Sequence, residues 1–201
     1  MHIAVYGATG AIGSRIVEEA RARGHEVTGI SRRGGGAHQD GALTGDALDA
    51  EFAARVAEKH DVVVSAIGPS RTEDDGTRFA DSVANLVRTL GDRRLVVVGG
   101  AGSLTVDGVR LVDTPQFPEI YQAEALKGAD TLALLRATGD EVDWTYLSPA
   151  PVIAPGERTG VFKLGLESPV GDQVSIEDHA VALVDEIEKP AHVRQRFTVA
   201  N

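Results

Sequence analysis

The chain has 201 residues, 42% of them hydrophobic, and a formal net charge of −10 at pH 7. A chain of this length buries a full core, and we expect one domain that spans residues 1–201. The acidic charge disfavours nucleic acid as a partner, because binding to a phosphate backbone requires a basic surface. The sequence has no cysteine, which excludes disulfides, thiolate metal sites and thiol catalysis.

The sequence also lacks the usual signals of membrane, exported and metal-binding proteins. No apolar run approaches the ~20 residues that span a bilayer, and the chain enters its first apolar segment with no leader before it. We therefore expect a cytoplasmic protein with no membrane partner; the oligomeric state stays open between monomer and homodimer. The six histidines show no metal-ligand spacing, so we expect no metal site and histidines that lie mostly on the surface.

The first element is a short apolar strand, residues 3–6, that leads directly into glycines at positions 7, 10 and 13. This spacing is typical of a dinucleotide-binding turn. The first glycine permits the sharp turn, the second lets the backbone approach a pyrophosphate, and the third allows the next helix to pack closely. A helical pattern up to Gly24 and a second strand at 27–30 complete a βαβ unit of about 30 residues. The alternative is a tight turn in some other α/β protein.

Two arginines follow the second strand and bear on the choice of cofactor. Sites that prefer NAD usually have Asp or Glu at this place, whereas sites that prefer NADP have a cation that meets the 2′-phosphate. Arg32 and Arg33 stand here, and no acidic residue occurs before Asp40. Guanidinium groups form bidentate pairs with phosphate, which favours NADPH and leaves use of NADH open. The alternative is that both arginines are ordinary solvated loop residues.

The remaining chain alternates strands and helices. We predict strands at 42–44, 61–65, 95–98, 144–147, 161–164 and 196–199, and helices at 48–59, 77–90, 119–137 and after Ser175, which we expect to be a helix N-cap. Residues 104–118 are the least regular stretch. This order predicts an α/β fold, a Rossmann-type doubly wound parallel sheet with helices on both faces. Its ligand site should lie at the carboxyl ends of the strands.

Five segments of the sequence together resemble a known family. They are the turn Gly-Ala-Thr-Gly-Ala-Ile-Gly, the strand ends Val-Val-Ser-Ala-Ile-Gly-Pro and Leu-Val-Val-Val-Gly-Gly-Ala-Gly-Ser, and the segments Val-Asp-Trp-Thr-Tyr-Leu-Ser-Pro-Ala and Val-Ser-Ile-Glu-Asp-His-Ala. The chain is similar over essentially its whole length to the atypical short-chain dehydrogenase/reductase group. Within that group it most resembles the small NAD(P)H-binding proteins described as NADH-flavin reductases, which are related to biliverdin reductase B and to NmrA-like proteins.

The resemblance implies which residues hold the dinucleotide. The pyrophosphate would lie against the turn, the adenosine phosphate against the two arginines, the adenine beside Asp46 and Ala47, and the nicotinamide along residues 66–68 and 148–151. A small substrate-side region would follow at about 149–175. The cofactor residues implied in this way are Gly7, Thr9, Gly10, Ala11, Ile12, Gly13, Arg32, Arg33, Asp46, Ala66, Ile67, Gly68, Ser148 and Pro149. For Asp46, capping of the helix that begins near Leu48 is an equal alternative.

The chain departs from the family's best-known catalytic pattern. Typical short-chain dehydrogenases use a tyrosine with a lysine four residues later, so that the ammonium lowers the pKa of the phenol. Here the nearest candidates, Tyr121 and Lys127, are six residues apart. Ser103 and Tyr121 stand as candidate catalytic residues, with Ser103 at the usual place of a substrate-binding serine. A structural role is the alternative for both, as a turn former for Ser103 and in packing for Tyr121.

The missing pair favours an acceptor that needs little acid catalysis. Hydride addition to a ketone leaves an alkoxide that needs a proton donor, whereas a flavin spreads the charge over its ring system. We therefore expect an NAD(P)H-dependent reductase, with NADPH preferred, of a small-molecule acceptor that is a diffusible flavin or a quinone-like compound. The flavin would be a substrate and not a bound prosthetic group. A non-catalytic NAD(P)-binding redox sensor of NmrA-like type is the alternative, and an epimerase or dehydratase ranks last.

Overall fold

A large sheet organises the computed structural model, which describes residues 1–33, 41–68 and 77–201. The strands in these residues are β1 (His2–Tyr6), β2 (Glu26–Ser31), β3 (Leu43–Thr44), β4 (Val62–Ser65), β5 (Arg94–Val98), β6 (Thr105–Val106), β7 (Val109–Arg110), β8 (Trp144–Pro149), β9 (Val152–Ala154), β10 (Lys163–Gly165), β11 (Gln173–Ser175) and β12 (Gln195–Ala200). Eight of them form one sheet, in the spatial order β10, β12, β8, β5, β4, β1, β2, β3. All neighbours in it are parallel except β10 and β12. The predicted parallel sheet is confirmed, with an antiparallel edge strand of a kind common in large sheets.

The order of the strands reverses between β1 and β4. The chain runs outward from β1 through β2 to β3 on one side, then returns to β4 and runs outward through β5, β8 and β12 on the other. In this register Ile3 lies between Val27 of β2 and Val62 of β4. Crevices that bind ligands in open α/β sheets form at such a reversal, outside the carboxyl ends of the strands. The topology therefore directs attention to the residues that follow β1 and β4.

Helices cover both faces of the sheet, as predicted. Those in the described residues are α1 (Ala11–Ala22), α2 (Ala50–Lys59), α3 (Thr77–Thr89), α4 (Gln122–Ala137) and α5 (Ile176–Glu188). On one face, Val64 of β4 packs in a core with Val17 of α1 and Leu183 of α5. Its neighbour Val63 points to the other face and packs with Leu86 of α3, in a core that α2 and α4 also enter. Each fully buried side chain of this kind contributes about 1.5–3 kcal/mol, so the two cores hold the sheet rigid between two layers.

The starts of three helices can be compared with the predicted bounds. Ser175 caps α5 as predicted, because its hydroxyl accepts a hydrogen bond from the Asp178 N–H at 3.0 Å. The helix predicted from residue 48 begins at Ala50 instead, since the Asp49 carboxylate caps it by accepting from the Phe52 N–H at 3.0 Å. The helix predicted from residue 119 opens with a separate 3-10 turn, Glu119–Tyr121, before α4 begins.

Two small sheets lie outside the large one and were not predicted. β6 and β7 form a two-stranded antiparallel hairpin within the stretch predicted to be irregular. Asp107 and Gly108 make its turn, with φ of 52° and 81°, the pair of positive angles that a type I′ turn requires. β9 and β11 form a parallel pair within residues 149–175. Both small sheets follow strands that end at the carboxyl edge.

Asp178, a buried carboxylate, fastens the segment around β9 and β11. It accepts hydrogen bonds from the Thr159 N–H at 2.9 Å, the Thr159 hydroxyl at 2.5 Å, the Gly160 N–H at 2.7 Å and the Asn201 amide at 2.7 Å. Burial alone would raise the pKa of Asp178, but these donors outweigh it and hold the pKa below its ordinary value. Residues 159–160 are thereby tied to the first turn of α5 and to the end of β12.

Two of the five histidines in the described residues are buried and two are half-buried, so the expectation that the histidines lie mostly on the surface is wrong; His38 lies outside the described residues. His60 is buried and bonds to the Val56 carbonyl at 2.7 Å and to the Thr28 hydroxyl at 2.8 Å. His179 of α5 is fully buried, and neither ring nitrogen has a partner among the described residues. Burial lowers the pKa of His179 from 6.5 to about 4.

No helix in residues 1–33, 41–68 and 77–201 is long and apolar enough to cross a membrane.

The His179→Leu variant should lose part of the pH dependence of folding. Below pH 6.5 the unfolded chain takes up a proton on this imidazole, whereas the folded chain resists protonation down to about pH 4. The wild type should therefore lose on the order of 3 kcal/mol of unfolding free energy as the pH falls through this window. Urea unfolding at pH 7, 5.5 and 4.5 measures the slope, with His2→Leu as an exposed control. A slope that His179→Leu leaves unchanged would contradict the assignment.

Candidate functional site

The carboxyl ends of β1 and β4 meet at a glycine. Gly7 is the first residue after β1, with φ of +79°, and its N–H donates to the Ile30 carbonyl at 3.0 Å. A Cβ on Gly7 would lie 2.4 Å from the carbonyl oxygen of Ala66, the first residue after β4. Both the backbone conformation and the missing space require glycine here. The turn and the end of β4 are thus held in contact at the reversal of strand order.

The start of α1 is seated against the same turn. The Gly10 N–H donates to the Gly7 carbonyl at 2.9 Å. A Cβ on Gly13 would lie 2.2 Å from that carbonyl oxygen. Gly13 therefore allows the helix to approach the strand end, which is the role predicted from its spacing.

The N-terminus of α1 is open to solvent. Gly10 is its N-cap and offers no side chain to the first helical N–H groups, and the first turn of α1 has no acidic residue. Thr9, Gly10 and Ala11 are exposed, and Ile12 is half-buried. Free N–H groups and the positive end of the helix dipole favour an anion at such a position. The exposed start of α1 thus has the chemistry that favours an anion, and binding of a pyrophosphate by these residues stays a prediction.

The segment after β4 lines the neighbouring part of the edge. Ala66 donates its N–H to the Tyr6 carbonyl at 2.9 Å, which continues the pairing of β4 with β1. Ala66 and Ile67 are half-buried and Gly68 is exposed. Ala66 packs on the same core as Ile12 of α1 and Ile153 of β9. The end of β4, the start of α1 and β9 thus each pack a half-buried side chain on the same core.

The structure places the two arginines on the surface and gives Asp46 a different partner. Arg32 and Arg33 are exposed directly after β2, on the same edge as the turn. Asp46 forms an ion pair with Arg78 of α3 and accepts from the Leu48 N–H at 3.1 Å. It does not cap α2, because that position belongs to Asp49. Asp46 therefore links the end of β3 to α3; the helix-capping alternative is wrong, and a position beside the adenine stays a prediction.

Ser148 and Pro149 end β8 and are buried. The Ser148 hydroxyl has no hydrogen-bond partner among the described residues. Exposure begins at Pro151 and continues into Val152. Residues 151–152 are therefore the part of this segment that solvent reaches, whereas the two predicted residues are covered.

Tyr146, which was not among the predicted site residues, packs against the end of β5 and the α4 helix. Its hydroxyl accepts from the Gly100 N–H at 3.2 Å and donates to the Gly128 carbonyl of α4 at 3.0 Å. A Cβ on Gly99 would lie 2.0 Å from the ring, so the strand end rests directly on it. Burial raises the pKa of Tyr146 to about 12, which keeps the phenol protonated. Tyr146 joins β8, the end of β5 and α4.

The two candidate catalytic residues lie beyond β5. Ser103 ends the 3-10 turn Ala101–Ser103 and is buried, with its hydroxyl accepting from the Arg196 guanidinium at 3.1 Å. Tyr121 is 42% exposed at the start of α4. A Cβ on Gly102 would lie 2.5 Å from the Cβ of Ala125, so α4 packs closely on this turn. Both residues are thus on elements that meet at the carboxyl end of β5.

A cavity of about 460 Å³ lies in the region predicted to be on the substrate side. Val152 and Ala154 of β9 and Gln173 and Ser175 of β11 line it. Ile153, between the first two, points instead into the core that includes Ile12. Val174 of β11, a member of that core, also lines the cavity, so the cavity borders the small sheet of β9 and β11.

Comparison with known proteins agrees with this geometry. A family described as NAD(P)H-binding matches residues 7–190. The uncharacterized protein YwnB of Bacillus subtilis is 36% identical over 211 residues, covering 100% of this chain and 99% of YwnB. SP1627 of Streptococcus pneumoniae, which carries the provisional name NADH-flavin reductase, is 37% identical with a TM-score of 0.92, over 100% of this chain and 99% of that one. A 3-diazoavenalumate denitrifying reductase of Streptomyces sp is 33% identical over 131 residues, 62% of this chain and 43% of that protein.

The Gly13→Ala and Gly10→Ala variants should distinguish the role of the turn in helix packing from its predicted role in ligand binding. In Gly13→Ala the added methyl group would lie 2.2 Å from the Gly7 carbonyl oxygen and must displace the helix. This variant should lower the unfolding free energy by about 1–3 kcal/mol. In Gly10→Ala the added methyl group would lie 3.2 Å from the same oxygen. This variant should lower the unfolding free energy by less than about 1 kcal/mol. Both should weaken the binding of a nicotinamide dinucleotide at least about tenfold, since each would disturb the backbone groups predicted to bind its pyrophosphate. Thermal melts and calorimetry measure these effects; wild-type affinity in both variants would contradict the site.

Proposed function

Because the chain belongs to the NAD(P)H-binding family, we propose that it is a reductase that prefers NADPH and passes hydride to a diffusible flavin or quinone-like acceptor. The observation that carries this proposal is the exposed and uncapped N-terminus of α1, seated on the turn at the carboxyl ends of β1 and β4. That cradle suits the pyrophosphate of a dinucleotide. We place the activity in the cytoplasm, in keeping with a sequence that has no cysteine for the disulfides common in secreted domains.

Each part of the edge has a proposed role toward the cofactor. Residues 9–13 would bind the pyrophosphate through backbone N–H groups. Arg32 and Arg33 would meet the 2′-phosphate, which supports the preference for NADPH. Residues 66–68 would direct the ribose and the nicotinamide along the sheet edge. Ser148 and Pro149 would act from behind residues 151–152, by shaping the surface on which the nicotinamide lies.

The chemistry asked of the protein is mainly orientation. A nicotinamide held at this edge would supply the hydride, and a flavin would need little acid catalysis because its ring system spreads the charge. No tyrosine in the sequence has a lysine four residues later, so the usual proton relay of short-chain dehydrogenases has no counterpart. Holding two planar rings in contact supplies most of the rate in such a reaction. The name of SP1627 supports a flavin as the acceptor, and that of the Streptomyces protein supports a reductase.

A second candidate function is a non-catalytic NAD(P)-binding sensor. Val106 and Val109 at the hairpin of β6 and β7 are each 48% exposed, close in sequence to the end of β5. An exposed apolar pair on a hairpin near the cofactor would suit a partner protein that reads the bound state. This candidate requires tight cofactor binding without turnover.

Replacing both arginines after β2 should shift the cofactor preference. Arg32→Ala with Arg33→Ala should lower kcat/KM for NADPH by about 10- to 100-fold, the loss expected for one or two charge-assisted phosphate contacts. The value for NADH should change by less than about threefold, because NADH has no 2′-phosphate. Arg55→Ala, which removes an exposed arginine of α2, is the matched control. Equal losses with both cofactors would contradict the proposed role.

Steady-state oxidation of NADPH tests the activity itself. Purified protein is titrated with FMN, FAD, riboflavin and a simple quinone, and the absorbance of NADPH is followed against a reaction without protein. We expect saturable turnover on the order of 1–10³ s⁻¹ with at least one acceptor. Tight NADPH binding with no turnover would contradict the reductase and support the sensor.

A further inference from the structure

The hydroxyl of Ser103 faces a partner that only donates. It is 7% exposed, and Nη1 of Arg196 lies 3.1 Å from its oxygen. A guanidinium has no acceptor atom, so the hydrogen bond between them must be donated by Arg196. The hydroxyl proton of Ser103 is therefore directed elsewhere, and no acceptor for it occurs in residues 1–33, 41–68 and 77–201.

Arg196 is itself held in place. It is 1% exposed on β12, and its Nη2 forms an ion pair with Glu167. Glu167 also takes a hydrogen bond from Arg136 of α4 at 2.7 Å, and its carbonyl accepts from the Thr105 N–H at 2.9 Å. Burial alone would raise the pKa of Glu167, but the two arginines outweigh it and hold the pKa below its ordinary value. The carboxylate thus stays charged and locks the guanidinium against the Ser103 turn.

Resting on the function proposed above, we propose that Arg196 is a positioning residue that fixes Ser103 as a hydrogen-bond donor to the electron acceptor. The acceptor would be a compound whose reducible ring carries a carbonyl oxygen or a ring nitrogen, as flavins and quinones do. Such an atom gains negative charge when hydride arrives, so a donor aimed at it stabilises the transition state more than the ground state. Ser103 would touch the acceptor, and Arg196 would act only through Ser103.

A double-mutant cycle tests this dependence. Ser103→Ala and Arg196→Met should each lower kcat/KM for the acceptor by about tenfold, the usual effect of one well-aligned donor. The double variant should show the same tenfold loss as either single variant, since Arg196 has no route to the reaction without the serine hydroxyl. The KM for NADPH should stay unchanged in all three. A merely structural role for Arg196 would instead give multiplied losses in the double variant.

Controls keep the cycle interpretable. Arg194→Met removes an arginine of the same segment whose partners, Asp140 and Asp143, lie on the surface, and it should leave kcat/KM unchanged. Glu167→Gln keeps the guanidinium but weakens its ion pair; a smaller loss than in Arg196→Met, absent from the Ser103→Ala background, is expected even if Arg196→Met fails to fold.

The outcomes separate this inference from the proposed function. If the wild type turns over and Ser103→Ala matches it, the inference is overturned and the function stands. If the wild type shows no turnover, the proposed function fails. In that case the affinity for riboflavin is measured by fluorescence quenching, with the wild type and the three variants each loaded with NADP⁺. Equal affinities across the variants would overturn the inference as well.

Discussion

The contact of the Gly7 carbonyl with the start of α1 is the constraint on which the rest of the site depends. There is no room for a Cβ on Gly13, which would lie 2.2 Å from this oxygen, or on Gly7, which would lie 2.4 Å from the Ala66 carbonyl. These two close approaches bring the helix N-terminus, the end of β1 and the end of β4 together. Gly10 leaves the first N–H groups of α1 uncapped there, which is why we propose this place as the pyrophosphate site.

The other half of the edge, around β5, β8 and β12, is held together by side chains and not by close backbone contacts. There, buried polar side chains join elements that are distant in the chain: Tyr146 connects β8 with α4, and Arg196 connects β12 with the turn after β5. Such groups are costly to bury unless each is paired, so their geometry is strongly specified. In our proposal, one half binds the dinucleotide through backbone groups, and the other half positions side chains toward the acceptor.

Local signals in the sequence predicted much of this structure. The three glycines, the strand of β-branched residues at β4 and the Ser175 cap depend on neighbours within a few residues, and each is in place. The β6–β7 hairpin has an equally local signal, Asp107-Gly108, although the stretch around it was predicted to be irregular. The pairing of Arg196 with Ser103, 93 positions apart, and of Asp46 with Arg78 follows from tertiary packing. A single sequence has no local pattern that reports such contacts.

A single-turnover experiment with stereospecifically deuterated NADPH tests the central claim most directly. Protein loaded with NADPH deuterated on one or the other face of C4 is mixed anaerobically with oxidised flavin, and the loss of flavin absorbance is followed by stopped flow. A sheet edge that orients the nicotinamide predicts that deuterium on one face slows flavin reduction, whereas deuterium on the other face has no effect. Flavin that stays oxidised, or reduction at the rate of free NADPH with no difference between the faces, would contradict the account.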